Sequence, residues 1–230
     1  KDTFDSIFPP GLSVKATWPE KTILGRFKNG ERKIKKIKIK LKKNKIIAGV
    51  DEVGRGCLAG PVVSAAVILK TGVKLKNLKD SKKLNFEKRM EISKDIKNNS
   101  YFAIGIASVK EIEKLNILQA SLLSMKRAIL NLSKRPDLVL VDGIFSPDVS
   151  HQCKTIIKGD EKVKCISAAS ILAKVYRDKI MIKMSKKFKN YSWNKNFGYG
   201  TKDHIVGLKK YGITAMHRKN FKPIHKMLLK

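Results

Sequence analysis

The spacing of apolar and polar residues changes several times along the chain, and each change marks an element. Residues 46–51 and 62–69 are short apolar runs rich in β-branched side chains, the mark of buried strands. A glycine-rich stretch, Gly54 to Gly60, joins them. Residues 85–97 predict a helix and residues 101–109 a third strand. Over residues 111–132 apolar side chains recur at Ile112, Leu115, Leu118, Leu122, Leu123 and Ile129, which predicts one amphipathic helix. Residues 138–141 and 153–157 predict two more strands, and a long helix is expected from about 161 to 184. Helical pieces around 202–210 and 224–229 close the chain. The order β-β-α-β-α-β-β-α predicts an α/β fold, a mixed five-stranded sheet flanked by helices.

Residues 1–44 break this pattern. Pro9-Pro10-Gly11 and Trp18-Pro19 interrupt regular structure, and Asn29-Gly30 signals a turn. Residues 34–43 then end in an alternation of apolar residues and lysine, as in an exposed strand. They read either as a basic arm that touches phosphates or as a ribbon whose lysines guard a sheet edge. The chain therefore divides into a basic N-terminal extension, 1–44, and a folded domain, 45–230.

Charge narrows the partners. Lysine and arginine number 51 against 19 aspartate and glutamate in 230 residues, a net charge of +32. Such a field points to a polyanion, nucleic acid first and an anionic membrane surface second, unless it reflects only a lysine-rich background. A hydrophobic content of 42% excludes global disorder. Cys57, Cys153 and Cys165 contain no Cys-x-x-Cys pair, which argues against a disulfide framework or structural zinc and fits a reduced, cytoplasmic setting. No apolar run reaches membrane-spanning length, and the first residues lack the form of a secretory signal.

The candidate chemistry lies where strands end. Asp51 and Glu52 close the first strand, Asp142 follows the fourth, and Asp160 precedes the long helix. Buried carboxylates are costly without a counter-charge. Four hard oxygen donors with no accompanying histidine or cysteine cluster suit Mg²⁺ or Mn²⁺, two of which would clamp a phosphodiester. Neighbours on an ideal strand face opposite ways, so Asp51 and Glu52 share a site only if the strand twists or ends there. The other reading of each acid is local: a helix cap at Asp160, a turn at Asp142, lysine partners for Asp51 and Glu52. Gly54-Arg55-Gly56 could present backbone amides and a guanidinium to a sugar–phosphate backbone. Ser81 and Lys82 offer phosphate donors, or belong to a solvated charge run. Tyr199, between glycines, could stack on a sugar or base, or anchor its loop. Lys174 and Arg177 read as a solvated helix face, and His217-Arg218 as a phosphate contact or a fastening for the tail.

In sequence order, the motifs Gly49-Val50-Asp51-Glu52-Val53-Gly54-Arg55-Gly56, Ala59-Gly60-Pro61-Val62, Asp80-Ser81-Lys82-Lys83-Leu84, Val141-Asp142-Gly143, Lys158-Gly159-Asp160, residues 166–175, Gly198-Tyr199-Gly200-Thr201 and His217-Arg218 resemble those of ribonuclease HII, the type 2 ribonuclease H. The resemblance covers roughly residues 45–223. It implies a ribonuclease H-like fold with a C-terminal helical extension. It also implies a monomeric, metal-dependent endonuclease that cuts the RNA strand of RNA–DNA hybrids and cleaves 5′ to single ribonucleotides in duplex DNA, leaving 3′-hydroxyl and 5′-phosphate ends. By motif match, Asp51, Glu52, Asp142 and Asp160 would bind two Mg²⁺ or Mn²⁺ ions. Gly54, Arg55 and Gly56 would sense the 2′-hydroxyl at the RNA-to-DNA junction, Tyr199 would stack on the deoxyribose beyond it, and Ser81 and Lys82 would contact phosphate. A non-catalytic, basic nucleic-acid-binding protein on the same fold is the alternative. The chain departs from the family pattern at Asn220, where serine is usual. Arg55 and the short N-terminal extension separate it from the sister type, ribonuclease HIII.

Overall fold

A computed structural model of the chain describes residues 45–72, 75 and 85–229. The basic extension 1–44 lies outside them, as do Ser81 and Lys82. The described residues form five strands and their helices: β1 (Ile47–Val53), β2 (Val62–Leu69), α1 (Phe86–Asn98), β3 (Ser100–Ala107), α2 (Val109–Leu130), β4 (Leu138–Asp142), β5 (Cys153–Ile156), α3 (Gly159–Lys162), α4 (Lys164–Lys187), α5 (Trp193–Asn196), α6 (Lys202–Tyr211) and α7 (Lys222–Leu228). A 3₁₀ turn, Lys189–Tyr191, links α4 to α5.

The sheet runs in the order β3-β2-β1-β4-β5. The first three strands pair antiparallel, whereas β4 lies parallel to both β1 and β5, so the predicted mixed sheet is present. Strand periodicity divides the core. Ala48, Val50, Val139 and Val141 pack with Met125, Ala128 and Ile129 of α2. Their sequence neighbours Leu138 and Leu140 pack with Cys165 and Ile166 of α4. That parity carries Asp51 and Asp142 to the α4 side of the sheet. A Cβ on Gly49 would lie 2.2 Å from the Cys165 backbone, so glycine is what lets α4 close on β1.

Two helices differ from the sequence expectation. The helix expected over 111–132 starts at Val109, where Ser108 and Glu111 form a reciprocal capping box. It is kinked at Asn116 (φ 69°, ψ 167°), whose Oδ1 accepts from the amides of Leu118 and Gln119 and restarts the helix. The kink turns the stripe, so Ala120, Ser121, Ser124 and Met125 are buried while Leu115, Leu118, Leu122 and Leu123 are only partly covered. The long helix expected from about 161 instead breaks at Val163 into α3 and α4. The Ser167 hydroxyl donates to the Asp160 carbonyl across that break. The extension after α4 is helical, as expected, with the short α5 and the 3₁₀ turn added.

Candidate active site

The ends of β1 and β4 and the α3–α4 junction surround an open cleft of about 370 Å³ bordered by Asp51, Glu52, Asp142 and Asp160. Pairing between β1 and β4 stops at Val50–Val141, while β1 continues beside β2 through Val53. The strand thus ends on one side only, and both acids reach the opening there. Asp51 is buried, its Oδ1 accepting from the Glu52 amide at 2.7 Å, with Ser170 of α4 as a further hydrogen-bond partner. Glu52 meets the guanidinium of Arg55 at 3.3 Å. Asp142 Oδ1 accepts from the Gly159 amide at 2.6 Å and so draws the Lys158–Asp160 turn against β4. Asp160 sits in the first turn of α3, two residues past the N-cap Lys158, which disposes of the capping role.

Burial first, then the charges of Glu52 and Asp142, hold the Asp51 carboxyl well above the usual carboxylate range; the Ser170 bond works against this. Glu52 is raised by burial and by Asp142, and Arg55 opposes the shift. Crowded carboxylates that resist ionisation are what a divalent cation relieves, and the all-oxygen donor set fits a hard ion. No three acidic, imidazole or thiol groups among the described residues converge into a preformed cage.

The Gly54–Pro61 turn leaves β1 beside these acids. Gly54 has φ 98°, and a Cβ there would lie 2.2 Å from Arg177 Nε. At Gly56, by contrast, a Cβ would meet nothing within 4 Å, so the missing side chain there leaves room for a ligand. Arg55 projects outward, its side chain 47% exposed. Tyr199 borders the same cleft, 40% exposed, with its hydroxyl against the Cys57 thiol. The cleft and the turn beside it thus bring together eight of the ten sequence-derived site residues, and Ser81 and Lys82 lie outside the described ones.

Arg177 corrects the reading of a solvated helix face. It is wholly buried and donates from Nε to Pro61 O (2.9 Å), from one terminal nitrogen to Phe197 O (2.8 Å) and from the other to Ala59 O (3.0 Å). Lys174 is corrected too. It borders the cleft, with its Nζ 2.6 Å from the buried Asp178 and 4.5 Å from the Phe197 ring centre. Arg89 and Ser170 border the cleft and were not singled out: Arg89 resembles any polar helix position, and Ser170 stood out only as part of the 166–175 motif.

His217 and Arg218 fasten the tail. Arg218 is fully buried and donates to Gly60 O (3.0 and 2.8 Å), Arg55 O (3.0 Å) and Pro61 O (3.3 Å). Burial and the like charge of Arg177 press its pKa downward, but carbonyl acceptors around the guanidinium keep it cationic. At the departure from the family pattern, Asn220 Nδ2 donates to Glu113 O at 3.1 Å and docks the tail on α2. His217 and His204 are both buried, 3.0 Å apart through Nε2.

Burial, followed by the nearness of His204, pushes His217 down to about 4. An unfolded imidazole titrates near ~6.5. Between those values the unfolded chain binds the extra proton, so this group's contribution to stability is complete above the upper value and is lost as pH falls toward the lower. Asp51 and Glu52, held high, act in the opposite sense, so the informative comparison is with His217→Gln. Its melting temperature should fall less steeply than the parent's between pH 7 and 4; equal slopes would remove His217 as the cause.

Comparison with known proteins supplies the family and the fold. The sequence profile of the family Ribonuclease HII matches residues 48–224. A Ribonuclease HII of Pelagibacter ubique (strain HTCC1062) is 59% identical over 185 residues, which is 80% of this chain and 100% of that protein. The ribonuclease H2 of Pyrococcus horikoshii OT3 superposes with a TM-score of 0.67 at 24% identity, covering 79% of this chain and 96% of that one. Bst-RNase HIII in complex with Mn²⁺ shares the fold at a TM-score of 0.65 and 18% identity, over 80% of this chain and 70% of that one.

Proposed function

The chain belongs to the ribonuclease HII family, an endoribonuclease family, and from that premise we propose that it cuts the RNA strand of RNA–DNA hybrids and nicks 5′ to single ribonucleotides embedded in duplex DNA. The products carry 3′-hydroxyl and 5′-phosphate ends. The observation that carries this reading is the gathering of four acids around one cleft, with Tyr199 at its border and the Gly54–Gly56 turn following directly on Asp51 and Glu52.

Asp51, Glu52, Asp142 and Asp160 would hold Mg²⁺ or Mn²⁺, a reading supported by the all-oxygen donor set and by the Mn²⁺ found in the complex of Bst-RNase HIII. When bound, such ions neutralise charge on the scissile phosphate and acidify a water. The protein's own part is to orient. The turn at Gly56 admits a sugar close to the backbone, which is how a 2′-hydroxyl is told from a hydrogen. Arg55 meets a phosphate, and the Tyr199 ring covers the next deoxyribose. Ser81 and Lys82 are assigned to phosphate contacts by motif alone, and residues 1–44 to an extension outside the catalytic domain. The net charge of +32 supplies affinity that falls with salt. No described helix is long and apolar enough to cross a membrane.

The competing reading is a binding protein without catalysis. Crowded, buried carboxylates weigh against it, because without a cation they repel phosphate and weaken binding. The deciding assay incubates the protein with a duplex holding one ribonucleotide, with and without Mg²⁺. A nick 5′ to the ribonucleotide that requires the metal is expected, and its absence sinks the catalytic reading.

A further inference from the structure

Between Tyr199 and the Gly54–Pro61 turn runs a largely buried path of hydrogen bonds, joined through the His217–Arg218 peptide, that the reaction itself does not use. His204 Nδ1 lies 2.8 Å from the Tyr199 carbonyl, which can only accept, so that nitrogen carries the proton. Its Nε2 is then an acceptor, and it receives Trp193 Nε1–H at 3.0 Å and His217 Nε2–H at 3.0 Å. His217 Nδ1 accepts from the Thr214 amide at 2.9 Å, which fixes the second tautomer in agreement with the first. Both imidazoles are neutral and fully satisfied. The next residue, Arg218, grips the turn through Arg55 O, Gly60 O and Pro61 O, while its amide donates to Leu58 O at 2.9 Å. Leu58 and Ala59 in turn donate to Gly198 O, beside Tyr199 (2.8 and 3.3 Å).

We propose that His204, His217 and Arg218 are positioning residues that set the Tyr199 ring against the Gly54–Gly56 turn, and so fix the spacing over which a ribose followed by a deoxyribose is recognised. The inference rests on the reading of Tyr199 as the residue that stacks on that deoxyribose. A fully buried histidine pair is an expensive way to hold a loop where apolar packing would do. What the pair adds is direction. Each imidazole offers one donor and one acceptor on opposite edges, so the chain of bonds transmits a fixed distance from the turn to the Tyr199 backbone.

The test uses two substrates: a duplex with one ribonucleotide, which contains the junction sugar, and a continuous RNA–DNA hybrid, which lacks it. His204→Gln keeps an acceptor near the former Nε2 but cannot reach the Tyr199 carbonyl. It should slow junction cleavage by about ten-fold, the loss expected for one orienting hydrogen bond, while hybrid cleavage changes by less than about two-fold. Trp193→Phe removes a donor from the same nitrogen without cutting the path. It should lower the melting temperature and leave the ratio of the two rates at the parental value. In a Tyr199→Ala background, His204→Gln should have no further effect on junction cleavage, because the path then has nothing to position. Should His204→Gln fail to fold, His217→Asn reaches the Thr214 amide but not His204, and reads the same ratio.

Equal losses on both substrates, or an additive double variant, would overturn the inference and leave the stacking role standing. A Tyr199→Ala protein as fast as the parent at the junction would remove the stacking role, and the inference with it.

Discussion

Asp51→Asn should lower cleavage of a ribonucleotide-containing duplex by at least about a thousand-fold while leaving duplex affinity within about three-fold of the parent, in line with the loss of one charged group at a phosphoryl-transfer centre. Asparagine keeps the volume and an acceptor for Ser170 but removes the charge. The same substitution should not destabilise the protein. Asp51 is buried beside Glu52 and Asp142, and all three influences raise its pKa, so ionisation there works against folding in the absence of a cation. With chelator present, the variant should melt at or above the parental temperature. A variant that still turns over, or one that melts well below the parent, would show that Asp51 has been misassigned. The first result would deny it a role in the reaction, the second would make it a structural group.

Arg177→Ala carries the largest expected loss of stability, about 3–5 kcal/mol, the usual consequence of taking one partner out of a buried charged network. The carbonyls of Phe197 and Ala59 would lose their Arg177 donor and that of Pro61 would keep only the longer bond from Arg218, and two of the three belong to the turn beside the acids. Lysine should not rescue the variant, because a single ammonium cannot address three acceptors in the plane of a guanidinium. Urea unfolding measures the effect. A variant within about 1 kcal/mol of the parent would mean that the turn holds its shape without the clamp.

The sequence was most readable where function is local. Asp51, Glu52 and the Gly54–Gly56 turn are close in sequence, and a continuous apolar run assigned residues 62–69 with the bounds the fold shows. Asp142 and Asp160 were legible because acids at element ends stand out against an excess of lysine. Arg177 was not. Its neighbours on α4 have the composition of any helix in a lysine-rich chain, and its burial depends on carbonyls more than a hundred residues away. The kink at Asn116 was hidden for a different reason. Apolar residues on both sides of it keep helical spacing, and only the side chain's bonds to two later amides reveal the break. The histidine pair escaped because a histidine among lysines carries no sign of its partner.

The two buried arginines also set an order of events during synthesis. The four acids lie between residues 51 and 160, whereas the clamps on the turn come from residues 177 and 218. Chains emerge from the ribosome N-terminus first. The acids and all five strands are therefore made before the last segment that holds the turn, so a nascent or C-terminally truncated chain has the four acids before it has the clamps on the turn. On the proposed function, junction selectivity would be the last property acquired during synthesis and the first lost to proteolysis of the tail.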